Sequence, residues 1–430
     1  MARSRPRLTL RQLSGPLLTT CLLSVLLSGC DPSGTPENPT PTNPAGSLAE
    51  APPGMAISTE HTWELARGLH RKAREESLKL QQAVDHLIEA PTGEHLKAAQ
   101  TQWFSTHQQL QKVMPLLTFG RTAPESFRQL EQARWQLDAW PIEPGYLDYV
   151  AEYSFSGIVN DISLPLSAEA LQQQHGLTSE ADISLGLHAM AYLLWGEQQQ
   201  RPISDYRAQP LTEEQRQNGL TDADRPAVRR ATLLRLQASA LVEEMESLGY
   251  KLSHPASAIN TLYSALPPRQ QVKLWGNSIV TLLNQELNPQ LLADEQSPAD
   301  APLEATPLAA PTAEERTASE QAVAQQEAGP PFPHNTFSGA EAQSLIATLN
   351  GLEKLLLDHD AGAQPLAYWM QPDRDVESLK TALQNCRSVL MTLEPRWGEM
   401  TPEESLQLHE RARALIDWFP AATSGSQSGG

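Results

Sequence analysis

The sequence predicts an all-α protein with helical stretches on both sides of an insert. Apolar residues recur at three- and four-residue steps through most of residues 55–420, which is the periodicity of an amphipathic helix. The chain is 40% hydrophobic but only 6% aromatic, a composition that suits helices better than a sheet. Short turns between successive helical stretches favour antiparallel neighbours, as in a bundle.

Residues 1–29 differ from the rest of the chain. Four arginines open the segment, an apolar run follows from Pro16 to Leu27, and Leu27-Ser28-Gly29-Cys30 closes it. This layout is typical of a secretory signal, and the apolar run is shorter than the ~20 residues that a membrane-spanning helix needs. The closing residues resemble a bacterial lipobox. We therefore expect cleavage before Cys30 and lipidation of that cysteine, which anchors the protein to a bacterial membrane.

Residues 30–54 are predicted to be a tether, because they are rich in proline and small polar residues that cannot form a core. The expected location is the cell envelope, facing the periplasm. Asp31 follows the lipidated cysteine, and the choice between inner and outer membrane stays open. After processing, Cys386 is the remaining thiol, so no disulfide framework is expected, and its apolar neighbours indicate a buried small residue.

The formal charge of −19 makes nucleic acid an improbable partner. It is compatible with a cationic ligand, although acidic residues on exposed helices most often serve solubility.

Helices are expected in one domain over residues 55–420, with a first part at 55–290 and a second at 331–420. Between them, residues 291–330 are acidic and proline-rich and predict a disordered insert. Residues 421–430 predict a loose tail. The predicted helices are Ser58 to Ala90, Glu94 to Leu117, Pro124 to Asp138, Ser179 to Gln199, Asp224 to Gly249, Pro268 to Leu292, Ser338 to Leu356, Val376 to Leu393 and Pro402 to Phe419.

The central stretch resembles the imelysin family. Gly186-Leu-His188-Ala-Met-Ala191-Tyr-Leu-Leu-Trp195-Gly196 is similar to the family's hallmark Gly-x-His-x-x-Glu-x-Leu-Leu-Trp-Gly. Further segments resemble family segments in the same order: Trp140 to Val150, Gly157 to Asp161, Pro202 to Tyr206, and Phe337-Ser338 with Gly351. The resemblance implies an all-helical fold of two bundle-like halves with the hallmark near their junction. It also implies a link to iron acquisition.

The glutamate of the hallmark is Ala191 in this chain. A histidine and a carboxylate three residues apart share a helix face and could together hold a metal or a catalytic water, which alanine cannot do. His188 remains, either as a buried hydrogen-bonded histidine or as a metal ligand completed by carboxylates from other helices. No catalytic residue is assigned, and any metal, iron or another divalent ion, rests on the resemblance.

Three hypotheses follow. The first is a noncatalytic envelope lipoprotein that binds a metal or an iron-uptake component. The second is a metal-dependent peptidase of the imelysin type, which would need a substitute carboxylate near His188; Glu197, Glu152 and Asp161 are candidates. The third is a structural or adaptor lipoprotein whose site has decayed. Motifs for other catalytic chemistries, such as His-Glu-x-x-His or Gly-x-Ser-x-Gly, do not occur in the sequence.

Overall fold

A computed structural model of the chain describes residues 51–284 and 335–419. Within those ranges the regular structure is helical, and the β-type pairing is limited to one bridge between Val150 and Tyr153. The all-α prediction is confirmed. The α-helices are α1 (Pro53–Glu89), α2 (Gly93–Gln111), α3 (Met114–Leu117), α4 (Phe119–Thr122), α5 (Pro124–Asp138), α6 (Pro144–Leu147), α7 (Ala168–Gln174), α8 (Leu187–Trp195), α9 (Glu213–Gln217), α10 (Pro226–Ser253), α11 (Ala258–Ala265), α12 (Pro268–Leu282), α13 (Glu341–Leu357), α14 (Leu366–Met370), α15 (Val376–Leu393) and α16 (Pro402–Ile416).

Helices α1 and α2 form the expected antiparallel pair. The turn between them ends at Thr92, whose side chain accepts a hydrogen bond from the backbone N–H of His95 and so caps α2. Thr106 on α2 bonds the backbone oxygen of Glu76 on α1. Helix α10 packs along the other side of α1. These three long helices bury one apolar face each and form the frame of the first part of the chain.

Helices α13, α15 and α16 form a second group that packs onto α1 and α2 mainly through α13. Gly351 on α13 makes the close approach possible, because a Cβ there would lie 2.5 Å from the backbone oxygen of Lys112. At the start of α1, Ser58 donates to the backbone oxygen of Gln364 and accepts from the indole of Trp369. The first and second parts of the chain therefore share one core.

The predicted helix from Ser179 to Gln199 is wrong at both ends. Residues 179–186 form turns, bends and irregular backbone, and the helix begins only after Gly186, whose φ of +90° lies in the left-handed region. Gly196 ends the helix with a φ of +71°. Glycine adopts these conformations without steric cost, so it bounds the helix more tightly than apolar periodicity suggests.

Several other boundaries also shift. Helix α1 starts at Pro53, inside the predicted tether, because proline suits the first position of a helix. The predicted helix from Glu94 breaks after Gln111 into the short α3, and the last helix ends at Ile416.

The segment 1–29, Cys30, the insert 291–330 and the tail 421–430 lie outside the described residues, and those predictions stay predictions. Within residues 51–284 and 335–419, no helix has the length and apolar character that crossing a bilayer requires.

Candidate metal centre

Helix α8 carries His188 in its first turn and is buried along its whole length. A Cβ at Gly186 would lie 3.0 Å from the backbone oxygen of Leu137, so glycine allows the start of α8 to press against the end of α5. The indole of Trp103 on α2 donates to the backbone oxygen of Leu187 at 2.7 Å. These two contacts fix where the His188 ring can lie.

Three ionisable side chains from different helices meet at this point. His107 comes from α2, Asp138 is the last residue of α5, and His188 comes from α8. Asp138 Oδ1 lies 3.1 Å from His188 Nε2 and 3.4 Å from His107 Nε2. One ligand atom from each residue lies within 4.8 Å of the other two, and all three side chains are at most 1% exposed. We call these residues the His–Asp–His cluster.

Hydrogen bonds around His107 indicate which of its nitrogens carries the proton. The Ser344 hydroxyl donates to the backbone oxygen of Ala340 at 2.8 Å and lies 3.2 Å from His107 Nδ1. Because its single proton is already used, the hydroxyl accepts from Nδ1–H. The Gln111 amide donates to Asp138 Oδ2 at 2.8 Å and lies 3.0 Å from His107 Nε2. This network leaves the His107 Nε2 lone pair facing the cluster.

Electrostatics favour an ionised carboxylate at Asp138. Burial alone would raise the pKa of Asp138, but the adjacent His188 and His107 outweigh it and hold that pKa well below its usual range. Burial lowers the pKa of His107, and Asp138 offsets this only in part. Asp138 Oδ1 is buried without a hydrogen bond of good geometry. A buried carboxylate in this state is stabilised by a cation.

The geometry fits a divalent transition metal. Two imidazoles and one carboxylate form the set used by non-haem iron(II) sites and by many zinc sites. With metal–ligand bonds of about 2.0–2.2 Å, neighbouring ligand atoms lie roughly 3.0–3.5 Å apart. The distances from Asp138 Oδ1 to the two histidine nitrogens, 3.1 and 3.4 Å, fall in that range. Among the described residues, this is the one group of three or more His, Cys, Asp or Glu side chains whose ligand atoms all lie within 4.8 Å of one another.

A turn of the second part of the chain covers the cluster. We call residues 335–340 the covering turn. Asn335 donates to the Ser344 hydroxyl at 3.1 Å, and the Phe337 ring lies 5.0 Å from that of Tyr192 and 6.3 Å from that of Trp140. Gln199 donates to the backbone oxygen of Thr336 at 2.7 Å. A solute reaches His188 only if this cover or a surrounding helix moves.

Comparisons with known proteins agree with this architecture. The sequence profile of the imelysin family matches residues 67–406, most of the chain. The chain belongs to the imelysin family. An imelysin-like protein from Psychrobacter arcticum 273-4 has a similar structure, with a TM-score of 0.54, 14% identity, and coverage of 86% of this chain and 95% of that one. No match was found among curated proteins.

A second solved structure is also similar. It is a "putative iron-regulated protein A precursor" from Parabacteroides distasonis ATCC 8503, with a TM-score of 0.51, 11% identity, and coverage of 86% of this chain and 95% of that one. At these identities the two structures support the shared fold alone.

The residues that resemble the imelysin hallmark either shape helix α8 and its packing or belong to the His–Asp–His cluster. Gly186 and Gly196 bound α8, and Trp195 is 6% exposed within the core. His188 alone among them enters the cluster. Ala191, one turn later, is 2% exposed, so a glutamate there would be buried one helical turn from His188.

The carboxylate beside His188 is therefore Asp138, and the three candidates from the sequence lie elsewhere. Glu197 is exposed and accepts from the backbone N–H of Ala151. Asp161 is exposed and accepts a hydrogen bond from the backbone N–H of Ser163, and Glu152 is exposed on a turn. The predicted end of a helix at Asp138 was correct, but nothing in its spacing linked it to His188 or to His107.

Two other segments that resemble imelysins build a buried ion-pair network. Arg230 forms a two-pronged pair with Asp148, with Nε–Oδ2 and Nη2–Oδ1 distances of 2.6 and 2.9 Å. Arg201 contacts Asp148 and Asp205 at 3.1 and 3.0 Å and donates to the last carbonyls of α8. Burial alone would lower the pKa of Arg201, but Asp148 reverses this and raises it. The network secures the end of α8 away from His188.

Cys386 is fully buried on α15, as expected. Burial raises the pKa of its thiol to about 12, so it stays protonated and unreactive near neutral pH.

Proposed function

We propose that this chain is a noncatalytic metal-binding protein of the cell envelope that takes part in iron acquisition, with His107, Asp138 and His188 as the ligands. The observation that carries the proposal is the buried cluster of two imidazoles around one ionised carboxylate. A bound divalent ion neutralises Asp138 and accepts the lone pair of His107 Nε2, while Gln111 and Ser344 orient these ligands.

The link to iron rests on family membership and on one similar structure, that of a protein named as a putative iron-regulated protein A precursor. The ligand set supports the same class of ion, since two histidines and one carboxylate suit iron(II). Attachment to the envelope through Cys30 rests on the sequence of residues 1–30.

Burial favours binding over peptide hydrolysis. A metallopeptidase keeps an open coordination position that a polypeptide substrate can reach. Here the three side chains are at most 1% exposed beneath the covering turn. An ion passes a small opening, whereas a peptide needs a cleft, so the peptidase hypothesis is the weaker one.

The test is titration of the metal-free protein with iron(II) under anaerobic conditions, and with zinc(II) and calcium(II), by calorimetry. We expect one site per chain that prefers iron(II) or zinc(II) to calcium(II), because imidazole is a poor calcium ligand. Tryptophan fluorescence gives a second readout, since the Trp103 ring stacks 4.7 Å from His107 and the Trp140 ring lies 5.0 Å from His188.

Matched variants identify the ligands. Asp138→Asn and His188→Gln keep side-chain shape and should each weaken binding by at least about 10- to 100-fold, the effect of losing even an outer-shell partner. The control is His70→Gln, which removes another buried histidine, on α1. Binding that survives Asp138→Asn would place the metal elsewhere. No binding of any ion would favour the adaptor hypothesis.

A further inference from the structure

A cavity of about 310 Å³ lies outside the His–Asp–His cluster, where the loop after α8 meets the start of α10. Three arginines line it, Arg207, Arg225 and Arg230, together with Asp205 and Asp224. The volume is at the lower end of the range for small-molecule sites. In a chain of net charge −19, three guanidinium groups around one cavity form a local concentration of positive charge that could attract an anion.

Arg230 lines the cavity although it is only 3% exposed. Its pair with Asp148 uses two N–H groups, and Nη1 donates a third to the backbone oxygen of Asp205 at 2.6 Å. A guanidinium has five N–H donors, so two have no acceptor among the described residues. A buried donor without an acceptor is costly, and a ligand in the cavity would supply one.

The other two arginines also keep donors free. Arg207 donates Nε–H to the backbone oxygen of Pro91, and its terminal nitrogens have no hydrogen bond to the described residues. Arg225 donates to the backbone oxygens of Asp222 and Gln209 and lies 3.5 Å from the Asp222 carboxylate. Both side chains are held at the cavity by backbone carbonyls, and each keeps N–H donors on its terminal nitrogens.

The two lining carboxylates are already engaged. Asp205 Oδ2 accepts from the Tyr149 hydroxyl at 2.7 Å and from Arg201. Asp224 Oδ2 accepts from the backbone and side chain of Thr221 at 2.7 and 2.6 Å. Among the described residues, no ion pair joins either carboxylate to Arg207, Arg225 or Arg230. The N–H groups that these arginines keep free are therefore available to a ligand.

We propose that this cavity binds a small molecule bearing a carboxylate or phosphate group. Paired guanidinium N–H groups match the two oxygens of either group, and charge-assisted bonds of this kind are strong. The site is separate from the His–Asp–His cluster, and the proposal holds whether or not a metal binds there.

The experiment uses the full chain, treated with chelator and transferred to metal-free buffer. Inorganic phosphate and tricarballylate, a tricarboxylate that chelates metals weakly, are titrated at constant ionic strength by calorimetry. The probe that binds identifies the source of the oxyanion. We expect Arg207→Gln and Arg225→Gln each to raise the Kd of that probe by at least about tenfold. These variants leave the Arg230–Asp148 pair intact, so both should fold.

The matched control is Arg235→Gln. Arg235 is an exposed arginine on α10, the helix that carries Arg230, and it pairs with Asp85 away from the cavity. It should leave the Kd unchanged, because binding in the cavity depends on hydrogen bonds from particular arginines and not on the overall positive charge of the protein. If neither probe binds at millimolar concentration, or if Arg235→Gln weakens binding as much as the other two variants, the proposal is wrong.

Discussion

At the scale of single residues, Asp138 shows how a buried charge is held. It ends α5, where the helix dipole disfavours a negative side chain, and burial adds to that cost. The two imidazoles and the Gln111 amide offset both effects. The ionised carboxylate thus depends on these three neighbouring side chains. Small changes beside it should therefore have large effects.

Introducing at position 191 the glutamate that the imelysin resemblance implies tests that balance. Ala191→Glu would place a second carboxylate one helical turn from His188, in a position that is 2% exposed. In the metal-free protein we expect a lower Tm, because two buried carboxylates repel each other. With iron(II) or zinc(II) present, the rise in Tm should exceed that of the unchanged protein. Thermal unfolding with and without metal measures both effects, and an equal rise in the two proteins would contradict the prediction.

His70 gives a prediction about pH that does not involve the metal cluster. It is 2% exposed against Gly249 of α10, and burial lowers its pKa from 6.5 to about 4. Above pH 6.5 the ring is neutral in both the folded and unfolded chain, so stability is unaffected. Between pH 6.5 and 4 only the unfolded chain takes up the proton, so the free energy of unfolding should fall, by up to about 3 kcal/mol.

Urea unfolding at pH 7.5 and pH 4.5 measures this loss. In His70→Gln the decrease between the two pH values should be smaller, because the titrating ring is gone. His95, a half-buried histidine at the start of α2, provides the control His95→Gln, which should keep the full decrease. Equal decreases in all three proteins would show that His70 does not govern this range.

At the scale of elements, the sequence predicted the helices well where apolar periodicity was long. Helices α5 and α15 begin and end as expected at Pro124, Asp138, Val376 and Leu393. Helix α8 was mispredicted because it is buried on all sides, so it carries no amphipathic pattern, and two glycines with positive φ define its ends.

The same reasoning explains what the site prediction missed. His188 was identified from a long local motif. His107 and Asp138 lie on ordinary amphipathic helices, and only packing brings them together. Ser344 bonds His107 across 237 residues, a contact that no local pattern contains.

The covering turn gives a prediction at this scale. Phe337 packs between Trp140 and Tyr192 and closes the cluster from one side. Phe337→Ala should loosen the turn without removing a ligand, so association and dissociation of the metal should both become faster while the Kd changes little. Stopped-flow tryptophan fluorescence measures the two rates. A changed Kd with unchanged rates would show that Phe337 shapes the site and does not gate it.

At the scale of the whole molecule, one core joins the two parts of the chain. Helix α13 packs on α1 and α2, and Thr62 of α1 donates to the backbone oxygen of Leu355. Contacts of this extent resemble those within a domain.

We therefore expect the protein to survive a cut between these parts. A specific protease site introduced near residue 310 should yield two fragments that elute together in size-exclusion chromatography, because residues 51–284 and 335–419 bury apolar surface against each other. Circular dichroism should show little loss of helix. The uncut protein carrying the same site is the control, and separation of the fragments without denaturant would contradict the prediction.

The distance in sequence between His107 and Ser344 also bears on the order in which the site and its cover are synthesised. The three ligands can assemble as soon as α2, α5 and α8 pack, whereas the covering turn and α13 are made much later. If α2, α5 and α8 pack before the covering turn does, the proposed site is open for an interval during folding. An ion captured in that interval would become enclosed, and its residence time would then depend on how the chain folded as well as on its affinity.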